Sequence, residues 1–324
     1  MIRCGVAGLG RWGRVLIDSV QGNSDKITVT AGVTGRKERA VDYCAEKGID
    51  LRDDFADLLA DPDIDAVVLA TPHTQHVDQI IAAAKAGKPV FCDKPLTLTA
   101  ADARRAAEAT NAAGLPLCVG FNRRFLPGMI KLKELAASGA LGTLLHIEGN
   151  ISGNGGLRYG PEHWRASETE SPAGGMTAMG VHMMDAMISV CGHVDHLRAV
   201  SERRATPVPV DDTTFATLKF KSGVTGVLTT MFATQSLWRI QVFGSKGWAE
   251  VRDQDRLEVR LIEGGSTVEE FPGFDMEHAE MEAFADTVST GATFPVPLDD
   301  AIHGIAILEA IVAASKSGDV VKPS

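Results

Sequence analysis

The segment Ile2–Val15, IRCGVAGLGRWGRV, decides the fold of the N-terminal half. A short apolar run ends at Ala7, and the loop GLGRWG and a helix-like stretch follow directly. In a G-x-G-x-x-G loop the first glycine permits a tight turn, the second lets backbone approach a pyrophosphate, and the third lets the helix pack on the strand. The helix N-terminus favours the phosphate charge. A plain strand–helix turn is the alternative. The predicted dinucleotide-binding residues of this loop are Gly8, Gly10, Arg11, Trp12 and Gly13.

The composition is that of a globular protein with an internal core. The 324 residues suggest about two domains, and 44% hydrophobic with 23% charged residues is ordinary. The formal net charge of −10, without any Lys/Arg-rich block, argues against nucleic-acid binding. No apolar run approaches a membrane span, and the glycine loop stands where a signal peptide would be. We therefore expect a cytoplasmic protein without a membrane anchor.

The cysteines and histidines do not suggest a metal site or a disulfide framework. There are five cysteines, an odd number, and none of them are spaced as C-x-x-C. The pairs His73/His76 and His193/His196 are not accompanied by ligand-spaced cysteines or carboxylates. We expect no bound metal.

Strands and helices alternate throughout the first 121 residues. Residues 2–7, 27–34, 66–70, 90–92 and 115–121 read as strands, and residues 36–47, 74–86 and 100–113 read as helices. The run Ala66–Ala70 is continuously apolar, as in a parallel strand covered on both faces. This alternation predicts an α/β Rossmann domain, residues 1–121, with a doubly wound parallel sheet.

The second strand ends at a sequence that favours NADP over NAD. An NAD-binding protein usually has an acidic residue there, which binds the ribose hydroxyls. This chain has Thr34, Arg36 and Lys37 instead, and the first carboxylate is Glu38. A hydroxyl followed by two cations suits a 2′-phosphate. A solvated turn is the alternative.

The carboxyl ends of parallel strands lie at one edge of a sheet, and ligands bind there. Two further strand ends are predicted to fall at the same edge as the glycine loop. The first carries Thr71, Pro72, His73 and His76, and the second carries Asp93 and Lys94. Pro95 restricts Lys94 to extended conformations. That restriction can aim the ammonium group into the cleft, although most loop lysines are simply solvated.

The order of motifs resembles the Gfo/Idh/MocA family, which is named after glucose–fructose oxidoreductase and inositol dehydrogenase. The matching segments are GLGRWG, ATPHTQH (70–76), DKPLTLT (93–99), GFNRRF (120–125) and GGMTAMGVHMMD (174–185). The resemblance implies a second domain with an open, mostly antiparallel sheet and covering helices. It implies hydride transfer with NAD or NADP on a sugar, cyclitol or related polyol. It also implies that Lys94 and His182 are catalytic and that His76 lies near the nicotinamide.

The chain departs from the family pattern at two positions. Asp93 stands where the family usually has Glu, and Ala178 stands where the family motif has Asp. The chain therefore lacks the motif carboxylate at position 178. Asp185 lies one turn after His182 and either orients its imidazole or pairs structurally.

Residues 122–324 are predicted to bind substrate and to mediate oligomerisation. Candidate substrate contacts beside Lys94, His182 and Asp185 are Asn122 and Arg123 at the start of a helix over 121–139, and Trp164 and Arg165 in the long loop 152–175. Helix 176–191 carries methionines suited to packing. Between Leu197 and Phe271 apolar and polar residues alternate with a period of two, which predicts an antiparallel meander.

We expect helices 176–191 and 277–290 to cover one face of this meander. We expect a second subunit on the other face, which would give a homodimer or homotetramer. The last helix, 299–315, is expected to pack on the first domain.

The predicted function is hydride transfer between a nicotinamide cofactor and a secondary alcohol or ketone. Two alternatives stay open. One is a redox-neutral, glycosidase-like enzyme that oxidises its substrate transiently. The other is a non-catalytic dinucleotide-binding regulator.

Overall fold

The computed structural model describes all 324 residues and contains fourteen strands and nine α-helices. The strands are β1 Ile2–Ala7, β2 Ile27–Val33, β3 Asp50–Leu51, β4 Ala66–Leu69, β5 Val90–Asp93, β6 Leu117–Gly120, β7 Leu144–Ser152, β8 Val194–Glu202, β9 Thr213–Phe220, β10 Thr225–Met231, β11 Leu237–Gly244, β12 Gly247–Arg252, β13 Arg256–Leu261 and β14 Gly265–Glu270. The helices are α1 Arg11–Val20, α2 Val41–Lys47, α3 Phe55–Ala60, α4 His76–Lys85, α5 Ala100–Ala112, α6 Pro127–Ala137, α7 Val181–Cys191, α8 Met276–Thr290 and α9 Leu298–Ser317. No helix is both long enough and apolar enough to cross a lipid bilayer.

The contacts divide the chain into two compact units. Unit 1 comprises Met1–Thr97, Ala101–Asn122 and Asp275–Leu298, and unit 2 comprises Leu98–Ala100, Arg123–Phe274 and Asp299–Ser324. The segment that contains α8 thus belongs to unit 1, although the sequence predicts a single boundary at residue 121. Almost all of α9 belongs to unit 2, and the expectation that it packs on the first domain stays a prediction.

Unit 1 contains a six-stranded sheet in the order β3-β2-β1-β4-β5-β6, and every pair in it is parallel. This is the doubly wound order of dinucleotide-binding folds. Strands β4, β5 and β6 are buried along their whole length, as expected for strands with helices on both faces. The predicted Rossmann architecture is confirmed.

Helix α8 packs in unit 1 against α1, β1 and β2, so the expectation that it covers the antiparallel sheet is wrong. The rings of Phe284 and Phe91 lie 5.6 Å apart, and both are fully buried. Burial of such a ring contributes roughly 1.5–3 kcal/mol. At the helix start, the His278 Nδ1 lies 2.8 Å from the Ser19 carbonyl oxygen. The sequence of α8 shows that one face is apolar, but not which sheet receives it.

Unit 2 contains an eight-stranded sheet in the order β14-β13-β12-β11-β7-β10-β9-β8. Only β7 and β10 pair in parallel, so the predicted mostly antiparallel sheet is confirmed. Helix α7 lies on one face of β7, where a side chain at Gly149 would collide with Met183 and Met187. These methionines therefore pack in the core, as predicted.

Three of the predicted helices begin with an irregular turn. The 3₁₀ turns Lys37–Arg39 and Asn122–Phe125 precede α2 and α6, and a π-helical turn, Met176–Gly180, precedes α7. Pro127 stands at the first turn of α6, where its missing N–H is tolerated. Candidate site residues lie in or beside all three turns.

Candidate active site

The three glycines of the loop after β1 have different structural roles. Gly8 has φ +101°, and a side chain there would overlap the Ala70 carbonyl group. A side chain at Gly13 would overlap the Gly8 carbonyl oxygen, so this glycine lets α1 pack on the end of β1. Gly10 is the N-cap of α1, and a Cβ there would meet nothing within 4 Å. The open space at this helix N-terminus fits a pyrophosphate.

The residues beside this loop and after β2 are accessible to a ligand. Arg11 is exposed and Trp12 is half-buried. After β2, Thr34 is half-buried and the Arg36 guanidinium is exposed without an ion pair. Lys37 forms a hydrogen-bonded ion pair with Asp53, which follows β3. Arg36 is therefore available to a 2′-phosphate, whereas Lys37 already has an anionic partner.

His76 connects the loops that follow β4 and β5. Its Nε2 lies 3.1 Å from the Thr71 carbonyl oxygen, and its Nδ1 lies 3.1 Å from the Pro95 carbonyl oxygen and 3.3 Å from the Cys92 Sγ. Burial lowers the pKa of His76, although Asp93 opposes this, so the ring is neutral. The ring is fully buried and holds the two loops together, so the structure does not expose it to a cofactor.

The remaining candidates of the β4 loop are also partly enclosed. His73 is buried with its ring edge-on to His76 at 5.9 Å, and Pro72 is half-buried. The Thr71 hydroxyl donates to Gln79 Oε1 over 2.6 Å.

Asp93 and Lys94 stand at the carboxyl end of β5 and are both buried, with exposed fractions of 7% and 8%. The Lys94–Pro95 peptide bond is cis. A lysine is almost never buried without a partner or a function. Asn122, at the end of unit 1, is fully buried and donates to Glu277 Oε1 over 2.9 Å. Asn122 therefore anchors α8, and the structure does not present it to a substrate.

In unit 2, Arg123 and His182 lie together. Arg123 Nη1 is 3.1 Å from His182 Nε2. A guanidinium can only donate, so Nε2 accepts and the imidazole carries its proton on Nδ1. Ala178, in the π-helical turn one residue before Met179, offers no side-chain acid here. His182 is thus paired with the guanidinium of Arg123, and the carboxylate that the family motif has at position 178 is absent.

Asp185 does not orient His182, because Arg124 binds it. Arg124 Nε lies 3.0 and 2.9 Å from the two Asp185 carboxylate oxygens, and Nη2 lies 2.7 Å from Oδ1. Nη2 also donates to Asp300 Oδ2 over 2.9 Å. Burial disfavours the charged guanidinium, but the two carboxylates outweigh it and raise the pKa of Arg124. Of the two roles predicted for Asp185, the structure therefore shows the structural pairing and not the orientation of the His182 imidazole.

This buried network extends away from His182. Asp300 Oδ1 lies 3.1 Å from His193 Nε2, and the His193 ring stacks on His303 with centroids 4.1 Å apart. His303 Nε2 accepts from the Val194 amide over 2.9 Å. No pattern in the sequence signals this arrangement, because its members come from distant segments.

The loop after β7 is ordered by aromatic contacts. Tyr159 and His163 stack at 4.1 Å, and Tyr159 also meets the Phe232 ring edge at 5.4 Å. The Arg165 guanidinium lies 4.2 Å from the Trp164 ring centroid, and 36% of Trp164 is exposed. Trp164 and Arg165 therefore form a cation–π contact with an accessible ring, and their contact with a substrate stays a prediction. No cluster of three or more His, Cys, Asp or Glu residues is arranged to hold a metal ion.

Known protein families match both halves of the chain. The family model for the oxidoreductase family with an NAD-binding Rossmann fold matches residues 2–121, and the model for the GFO/IDH/MocA C-terminal domain matches residues 129–250. A myo-inositol 2-dehydrogenase of Thermotoga maritima is 32% identical over 259 residues, which cover 76% of this chain and 74% of that protein. An uncharacterised oxidoreductase of Bacillus subtilis is 26% identical over 318 residues, with coverage of 92% and 90%. A solved structure of a levoglucosan dehydrogenase in complex with NADH has the same fold, with a TM-score of 0.92, 20% identity and coverage of 100% of this chain and 99% of that chain.

Proposed function

Because this chain belongs to the Gfo/Idh/MocA family of NAD-binding oxidoreductases, we propose that it interconverts a secondary alcohol and a ketone on a sugar, cyclitol or related polyol. The observation that carries this proposal is the buried Lys94 at the end of β5, on the same sheet edge as the glycine loop. The T. maritima relative, a myo-inositol 2-dehydrogenase, makes inositols the first substrates to test.

The bound nicotinamide supplies the hydride exchange with carbon, and the protein handles the hydroxyl proton. We propose that Lys94 donates a charged hydrogen bond to the developing alkoxide, and that His182 takes or returns the proton. Nε2 of His182 accepts from Arg123 in this structure, so proton uptake there requires Arg123 to release it. The released guanidinium can then donate to an oxygen of the substrate.

A substitution at Lys94 tests this proposal. Turnover of Lys94→Ala is measured on a panel of inositols, other polyols and aldoses with NAD⁺ and NADP⁺. The equilibrium binding of both cofactors to the variant is measured separately. Turnover is expected to fall at least a hundredfold with cofactor affinity retained. Lys85→Ala, on the exposed side of α4, is the matched control. Near wild-type turnover of Lys94→Ala would contradict the proposal.

The same panel separates the two alternatives, and Ala178 is the reason to consider the regulator. Consumption of substrate without a change in the reduced-nicotinamide absorbance would indicate the redox-neutral enzyme. Cofactor binding without turnover of any substrate, together with tolerance of His182→Ala, would indicate a regulator.

NADP is the proposed preferred cofactor. Arg36 is exposed without an ion pair at the end of β2, and Thr34 lies two residues before it. The ratio of the dissociation constants for NADP⁺ and NAD⁺ tests this preference. Arg36→Ala should weaken NADP⁺ binding about tenfold or more and leave NAD⁺ binding nearly unchanged.

A second copy of this chain is the proposed partner of the large sheet. On the face of the sheet opposite the core, Val200 and Phe215 form an exposed cross-strand pair. Arg239 pairs with Glu148 on the same sheet, so charges of both signs are present. Light scattering after size exclusion measures the oligomer, and Phe215→Lys should shift it towards the monomer.

A further inference from the structure

We infer that Asp53 is a specificity-determining residue for the cofactor, which moderates the preference for NADP by neutralising Lys37 and lets the protein accept NAD as well. The inference rests on the proposed function. Asp53 lies outside the segment after β2 from which the cofactor preference is usually predicted.

The topology brings Asp53 to the ribose end of the dinucleotide site. Strands β2 and β3 are parallel neighbours, with Gly32 opposite Leu51. The Arg52 amide donates to the Gly32 carbonyl oxygen over 2.9 Å, so the pairing continues to the end of β3. The chain therefore leaves both strands at the same edge, Asp53 from one and Thr34–Lys37 from the other. In doubly wound folds the end of β2 is where the adenine ribose binds.

Lys37 and Asp53 pair directly at this edge. The Lys37 ammonium group donates to Asp53 Oδ1, and Lys37 holds the pKa of that carboxyl below its ordinary value. The carboxylate is therefore charged at neutral pH. The Asp53 side chain is 89% exposed, so it contributes little to the core and can be replaced without loss of the fold.

The two cofactors respond differently to this charge. A 2′-phosphate carries close to two negative charges, so it must displace Asp53 from Lys37 or bind beside an anion. A 2′-hydroxyl meets no such repulsion and can donate to the carboxylate. From Coulomb's law in water, a unit charge several ångström from a dianion changes affinity roughly three- to tenfold at moderate salt.

Equilibrium binding measures this effect without turnover. The dissociation constants of NADP⁺ and NAD⁺ are determined by titration calorimetry for the wild type, Asp53→Asn, Lys37→Met and the double variant. Asp53→Asn is expected to tighten NADP⁺ binding roughly three- to tenfold and to leave NAD⁺ binding unchanged or slightly weaker. In the Lys37→Met background the effect of Asp53→Asn is expected to fall by at least half. Raised salt is expected to shrink it further.

Asp50→Asn is the matched control, because it removes the same charge from β3, the strand that Asp53 follows. Asp50 pairs with Arg52 over 2.9 Å instead, and we expect less than a twofold change in either constant. An unchanged NADP⁺/NAD⁺ ratio in Asp53→Asn, or the same change in Asp50→Asn, would overturn the inference. If the wild type binds neither nucleotide, the proposed function itself fails, and the inference fails with it.

Discussion

Asp185→Ala is expected to lower the free energy of unfolding of unit 2 by about 3 kcal/mol. The substitution removes three of the four hydrogen bonds that the Arg124 guanidinium makes to carboxylates. Only 5% of the Arg124 side chain and 3% of the Asp185 side chain are exposed. Removal of one partner of such a buried pair costs about 3–5 kcal/mol, since the remaining charge stays buried. Asp300 keeps one contact with Nη2, so the lower end of that range applies.

Urea unfolding followed by tryptophan fluorescence measures this loss. Three of the four tryptophans, Trp164, Trp238 and Trp248, belong to unit 2 and report on it. The control is Glu202→Ala, which breaks an exposed ion pair with Arg204 in the same unit, and we expect a change below about 1 kcal/mol.

A double variant separates the buried charge from the lost packing. Arg124→Met with Asp185→Leu replaces the pair by apolar side chains, and it should recover most of the stability lost in Asp185→Ala. A loss below about 1 kcal/mol in Asp185→Ala would refute the reasoning. A double variant no more stable than Asp185→Ala would refute it as well.

Three further outcomes are expected. Gly13→Ala should destabilise unit 1, because its Cβ would overlap the Gly8 carbonyl oxygen, whereas Gly10→Ala should keep the stability and weaken dinucleotide binding; calorimetry and thermal unfolding distinguish the two. His76→Ala should lower turnover at least tenfold with cofactor affinity retained, because the loop that carries Lys94 loses its tie at Pro95. Burial, helped by His193 and Lys221, lowers the pKa of His303 from its ordinary 6.5 to about 4. The unfolded state therefore takes up a proton first, and roughly 1–2 kcal/mol of stability should be lost as the pH falls from 6.5 to 4. His303→Gln, which keeps an acceptor for the Val194 amide, should abolish that part of the loss.

The sequence predicts local pattern well and distant partners poorly. Much of unit 1 is readable because strands such as β4 are continuous apolar runs and most of its turns carry a glycine or proline. Asp185 illustrates the limit, since its spacing from His182 places both on one helix turn. Arg124, which precedes Asp185 by 61 residues in the sequence, binds the carboxylate instead. Asp300 carries no signal at all, because its role depends on two partners from other segments.

Among the site residues, too, roles set by local sequence could be predicted, whereas contacts with distant segments could not. The spacing around the glycine loop indicates what Gly8, Gly10 and Gly13 do, because each role is set within a few residues. The expectations for His76 and Asn122 identify important positions but not their contacts. Both side chains are fully buried and bind other parts of unit 1, and a motif does not show whether a polar residue faces a ligand or the protein.

The position of α8 has a consequence for how the chain folds as it is synthesised. The Rossmann sheet is complete at Gly120, but Phe284, which packs on Phe91, is made only after all of β7–β14. The apolar surface that α8 covers in the nucleotide-binding unit therefore stays exposed while most of the other unit is synthesised. Such delayed, long-range closure slows folding and exposes intermediates to aggregation. The two units are thus coupled in their biogenesis, since neither is continuous along the chain.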